Sequence, residues 1–138
     1  MQREVVRATG HDNVSAAHQS TLEVTTDDWL TPAGDCIVGV DADRAPAAFA
    51  ESFVEACRDE TATIEVTLWV GDRTWQTVGR GDPDLTFDSD RSLVCRTSDY
   101  VDDRTVVVGA TEAAADVDRT LVDALTTGAP LELTLTVE

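Results

Sequence analysis

One order of residue types runs through this chain twice, and that repetition constrains the fold more than any other feature of the sequence. Thr26, Asp27, Asp28, Trp29 and Leu30 are matched by Thr97, Ser98, Asp99, Tyr100 and Val101, with Leu22 and Leu93 equally placed before them. Ile37 to Val40 then stands against Thr105 to Val108. Phe49, Phe53 and Cys57 stand against Val117, Leu121 and Leu125, and Ile64 to Leu68 against Leu131 to Leu135. At the front, Val5 to Asp12 runs beside Trp75 to Asp82. With the joint at the Gly71, Asp72 turn, the 138 residues form a single domain made of repeats 1–71 and 72–138.

Each repeat reads as strand, loop, strand, turn, strand, helix, strand. The first strands span 3–9 and 73–80, the second 21–26 and 92–97, the third 35–40 and 104–109. The closing strands, 63–70 and 131–137, alternate apolar and polar residues as a half-buried strand must. Apolar residues at four-residue spacing give each helix one stripe to bury, with Asp43 and Thr111 as N-caps and Glu51, Glu55, Asp116 and Asp123 on the solvated side. A unit with so few short strands leaves open sheet edges, which a second copy can cover. The expected fold is a β-rich α+β domain: two tandem β-β-β-α-β repeats packed with pseudo-twofold symmetry into a sandwich or barrel-like sheet with two helices.

Twenty-seven acidic residues face ten basic ones, all of them Arg, for a net charge of −17. Such self-repulsion weakens a compact state in dilute buffer, but at roughly 1 M salt the Debye length falls to about 3 Å and the repulsion is screened. The acidity therefore reads as adaptation to a salty, halophilic interior. No basic stripe interrupts it, which argues against nucleic acid; Arg3, Arg7, Arg73 and Arg80 on the first strands are the only grouping. No apolar run is long enough to span a bilayer and the first residues lack a signal-peptide pattern, so a cytoplasmic location is expected, with homo-oligomerisation left open. Cys36, Cys57 and Cys95 are odd in number and form no C-x-x-C, so no disulfide framework is expected, and Cys57 and Cys95 read as buried structural thiols.

Residues shared by both repeats are best explained by architecture, and those present once are candidates for function. Asp28 with Asp99 and Asp12 with Asp82 read as turn-forming acids, and Trp29 with Tyr100 as a core aromatic. Both histidines, His11 and His18, lie in the first repeat, bracketing one loop, where the second has Gly81 and Ser89. Cys36, beside Asp35, has no thiol counterpart. His11, His18 and Cys36, with Asp12 and Asp35, make a nitrogen, oxygen and sulfur set suited to a transition metal, to a small ligand, or to a general base with a nearby acid, in a pocket expected at the seam of the two repeats with the histidines at its centre. No phosphate loop, nucleophile elbow, H-E-x-x-H or Ser/His/Asp order is present, so no catalytic residue is assigned and the chain reads as a binding protein rather than an enzyme. The competing reading is a protein-protein interaction module with no chemical site.

The segments Gly10 to Val14, His18, Thr21 to Glu23, Leu30 to Val40, Arg80 to Leu85 and Arg96 to Tyr100, in that order, resemble the archaeal domain-of-unknown-function family 371 over nearly the whole chain. The resemblance implies an archaeal source and a β-rich, sandwich-like fold. It supplies no reaction, cofactor or catalytic residue, although the histidine loop and Gly34, Asp35, Cys36 belong to the resembling pattern.

Overall fold

Strict alternation builds the longest strands. In the computed structural model, which describes residues 1–138, β4 (Thr63–Val70) buries Ile64, Val66, Leu68 and Val70 and turns Thr63, Glu65, Thr67 and Trp69 outward. The eighth strand, β8 (Pro130–Val137), does the same with Leu131, Leu133, Leu135 and Val137. Around them lie β1 (Gln2–Thr9), β2 (Thr21–Thr25), β3 (Ile37–Gly39), α1 (Glu51–Cys57), β5 (Arg73–Arg80), β6 (Ser92–Arg96), β7 (Thr105–Val107) and α2 (Arg119–Thr126). The order strand, strand, strand, helix, strand thus occurs twice along the chain.

The strands form two four-stranded sheets, ordered β1-β8-β4-β5 and β3-β2-β6-β7. Every ladder of the first sheet is antiparallel and joins a strand from before Gly71 to one from after it. In the second sheet the central β2–β6 ladder crosses in the same way, while β3 and β7 pair in parallel with β2 and β6 of their own halves. The sheets stay separate and do not close into a barrel; they meet at two corners through the single bridges Thr9–Val40 and Arg80–Val108. Their inner faces and the apolar sides of both helices merge into one core of 33 buried residues. Phe49, Phe53 and Phe87 meet there edge to face or tilted, with ring centres 5.7 to 6.1 Å apart. No helix is long and apolar enough to cross a membrane.

Neither Asp43 nor Thr111 caps a helix. Pro46 and Ala114 open short 3-10 turns that end in extended residues at Phe49 and Val117, and the α-helices begin only afterwards, with Ala50 and Asp118 as N-caps. The apolar residues at four-residue spacing therefore straddle a break in the chain direction. Asp43 instead zips the edge of β1: its N–H donates to the Arg7 carbonyl and its Oδ1 accepts from the Arg7 N–H at 2.9 Å. The start of α1 is held from β1, where the buried Glu4 carboxylate pairs with Arg44 and accepts the Ala50 N–H at 2.7 Å. The Gly71, Asp72 joint is a two-residue hairpin loop, with Gly71 at φ +60° in the first position, where a type II′ turn needs glycine.

Where β1 and β5 end, each runs against the helix of the other half. A Cβ on Gly10 would lie 2.0 Å from the Leu125 carbonyl oxygen, and one on Gly81 2.0 Å from that of Cys57. Backbone touches backbone at both places, so nothing flexible can give way. Gly81→Ala is expected to destabilise the fold by about 2–3 kcal/mol, as overpacking of a close contact does. Gly71→Ala, which meets open space, should cost only the roughly 1 kcal/mol of an unfavourable positive φ. Urea denaturation of the two variants checks the difference, and equal losses would contradict it.

Candidate functional site

Local acceptor roles occupy both histidines. The Ser20 and Thr21 N–H groups donate to His18 Nδ1 at 3.2 and 3.1 Å, and the Thr21 hydroxyl lies 3.0 Å from the same atom. The Asn13 N–H donates to His11 Nδ1 at 3.0 Å. The other half makes the same turns without histidine: Ser89 Oγ accepts the N–H groups of Arg91 and Ser92, and Asp82 Oδ1 accepts that of Asp84. His11 therefore occupies the role of Asp82 rather than of Gly81, one residue away from the match suggested by the sequence. With amides aimed at Nδ1, the proton of each neutral ring sits on Nε2. A metal at Nε2 of His18 would drive that proton onto Nδ1 and displace two backbone bonds.

Of the remaining candidates, Asp35 lends its carbonyl to the N–H groups of Ala17 and His18, and Asp12 is exposed in the turn after β1. The Cys36 thiol donates to Glu23 Oε1 at 3.5 Å. Burial first, and then the negative charge of Glu23, push this thiol up to about 11, so it stays protonated at neutral pH. No three His, Cys, Asp or Glu side chains come close enough together to hold a metal ion. Cys57 and Cys95 are buried, and burial raises both to about 12.

Glu23 belongs to a larger cluster of charged side chains. Glu23 and Val94 are partners at the centre of the β2–β6 ladder, so the outward side chains of both halves converge there. A cavity of 180 Å³ opens on this face, lined by Glu23, Asp27, Trp29, Ile37, Arg91, Ser92 and Arg104. Arg91 grips Asp27 through Nε and Nη2 at 3.1 and 2.7 Å, and this bond lowers the Asp27 carboxyl. Arg104 Nη1 stands 3.7 Å from Glu23 Oε1, and its Nη2 donates to Asp102 at 2.9 Å. Arg96 also holds Asp102, donates to Thr105, and stacks 4.8 Å over the Tyr100 ring. Partial burial alone would raise the Asp102 carboxyl, but bonds from Arg104 and Thr105 outweigh it and bring it down to about 2.

Trp29 and Tyr100, expected in the core, are 55% and 60% exposed. They sit in the loops that leave β2 and β6, and the neighbouring Leu30 is buried instead. Glu23 is the opposite case: its side chain is only 13% exposed, yet Oε2 makes no hydrogen bond within the chain and is not sealed from solvent. Two further surface cavities, of 340 Å³ beside Trp69 and 330 Å³ beside Arg44, are more open. Arg3, Arg7, Arg73 and Arg80 form no basic patch there: Arg7 faces Glu132 at 3.8 Å and Arg80 faces Asp82 at 3.8 Å.

A two-sheet α+β sandwich with an ion-paired cavity where its halves join is the class of protein that these features define. The chain belongs to the family of the domain of unknown function DUF371, whose model matches residues 6–138. It is 39% identical over 127 residues to an uncharacterized protein of the archaeon Methanocaldococcus jannaschii, a match covering 92% of this chain and 93% of that one. No function is assigned to the family.

The acceptor role of His18 separates two substitutions. His18→Ala should cost about 1–2 kcal/mol, the usual effect of stranding amides at such a turn, whereas His18→Ser, which restores the acceptor found at Ser89, should recover most of it. Equal losses in denaturant titrations would show that the imidazole itself matters. For Asp102, a folded-state pKa below the unfolded one adds stability that is present above about pH 4 and is lost as pH falls toward 2. Asp102→Asn should therefore be less stable at neutral pH and show a flatter decline across that window in pH-dependent thermal unfolding.

Proposed function

We propose that this chain is a small-molecule-binding protein whose site is the cavity at the seam of its two halves, not the histidine loop. One observation carries the reading. Glu23 holds a largely buried carboxylate with an oxygen unused by the protein, on the wall of a cavity rimmed by an exposed tryptophan and two arginines. A carboxylate on a cavity wall that keeps one oxygen free of protein partners, yet within reach of solvent, is an acceptor that a ligand entering the cavity can use. Arg91 and Arg104 are half-exposed and keep N–H groups unused by Asp27 and Asp102, so the rim has donors to offer as well as an acceptor.

The two halves, 1–71 and 72–138, are in this reading copies of one ancestral unit. The repeated element order and the matching turns at His18 and Ser89 support that origin. Duplication would explain why the site lies at the join, because only there do side chains of both copies meet. The acid excess and the resemblance to an archaeal family support a salt-adapted archaeal cell as its setting.

The test is a thermal-shift screen in molar KCl with compounds spanning planar, cationic and anionic metabolite classes, run on the wild type and on Trp29→Ala. At least one compound should raise the wild-type Tm by a few degrees and leave the variant unmoved, since binding to the native state alone stabilises it. A screen in which no compound distinguishes the two proteins overturns the reading in favour of a protein-docking face.

A further inference from the structure

We infer that the seam cavity recognises a planar heterocycle with two adjacent N–H donors on one edge, of the guanine kind, carrying an anionic group; this rests on the cavity being the binding site. Three features of the lining select that chemistry. The first is Glu23. An ionised carboxylate only accepts hydrogen bonds, so whatever meets Oε2 must donate. Oε1 is held loosely, by a thiol at 3.5 Å and a guanidinium at 3.7 Å, and can take a second donor beside the first. Two neighbouring N–H groups on a ring match the two oxygens of a carboxylate, the same fork geometry that pairs carboxylates with guanidinium groups.

The second feature is the company that Glu23 keeps. Arg91 and Arg104 stand on the same rim. Arg91 is paired with Asp27 and Arg104 with Asp102, so the rim offers leftover N–H donors beside the carboxylate, and a neutral ring that carries an anionic group can use both. Guanine presents its N1 and N2 protons side by side. Adenine and cytosine place an acceptor nitrogen next to their amino group, which would face the carboxylate lone pairs. The lining therefore discriminates among heterocycles, and in one direction.

The third feature is shape. Trp29 and Ile37 supply the apolar walls, and stacking of a base on an aromatic side chain contributes about 1–3 kcal/mol. At 180 Å³ the cavity has room for a ring system but not for a whole nucleotide. An attached phosphate would lie outside, over Arg91 and Arg104. Arg91 spends Nε and Nη2 on Asp27 and keeps Nη1 free for it.

Calorimetric titration of the full chain in molar KCl tests this, with guanosine monophosphate, adenosine monophosphate, guanosine and inorganic phosphate as probes. Guanosine monophosphate should bind at least tenfold more tightly than adenosine monophosphate and displace any inorganic phosphate. Glu23→Gln, checked for folding by circular dichroism, should lose at least tenfold for the guanine probes, and Arg91→Ala should weaken the nucleotide but not the nucleoside. Trp29→Phe, which retains a stacking face, should keep most of the affinity. Equal affinity for the two nucleotides, or unchanged binding in Glu23→Gln, overturns the inference. If no guanine probe binds while the screen has found a ligand dependent on Trp29, the inference fails and the broader reading of the cavity stands.

Discussion

Backbone pairing between the halves is the constraint on which the rest of the structure depends. Strands β1, β8, β4 and β5 form three ladders, each joining a strand from one side of Gly71 to a strand from the other. Taken alone, residues 1–71 keep only the parallel β2–β3 pairing, with two paired positions in the ladder, and the single Thr9–Val40 bridge. The N–H and C=O groups of β1 and β4 would have no sheet to join, and an unpaired backbone group buried away from water costs about as much as a lost hydrogen bond. Neither half completes the first sheet by itself. The contacts of Gly10 with Leu125 and of Gly81 with Cys57 reinforce this, because each half closes its first strand against a helix of the other.

The same pairing creates the candidate site. Antiparallel β2 and β6 bring Glu23 opposite Val94, and their flanking strands bring Cys36 and Arg104 alongside. Glu23 and Arg104 are 81 positions apart in the chain, and only the ladder makes them neighbours. Three acids (Glu23, Asp27, Asp102) and three arginines (Arg91, Arg96, Arg104) form ion pairs here, with Asp35 and Asp103 close by.

Much of the fold was legible because alternation is a local signal. The strand at 63–70 is found where its pattern places it, and the one expected at 131–137 gains only Pro130. The third strands shrink from six residues to three, at 37–39 and 105–107, because a parallel neighbour with two paired positions cannot hold a longer ladder. Helix starts were misplaced because Phe49 and Val117 keep the four-residue spacing while lying in extended backbone. The first strands were matched one residue out of step. The bonds from Asp43 to Arg7 and from Thr111 to Val78 align Val6 with Thr77, both inward, whereas the sequence match had set Val6 beside the outward Gln76. A slip of one residue exchanges the two faces of a strand.

A histidine present in one half only looked like a specialised residue, but a turn needs an acceptor and is indifferent to whether imidazole, hydroxyl or carboxylate supplies it. Asp82 and Ser89 do for one half what His11 and His18 do for the other. The halves also differ at the seam. Glu23 has Val94 as its counterpart, and the Thr25 position is taken in the second half by Arg96, whose guanidinium stacks on Tyr100 and fills the space there. On the Trp29 side no arginine covers the ring, and the cavity stays open beneath it. The two aromatics therefore stand in different settings: a cavity with a carboxylate at its wall lies beside Trp29, while none of the three cavities is lined by Tyr100.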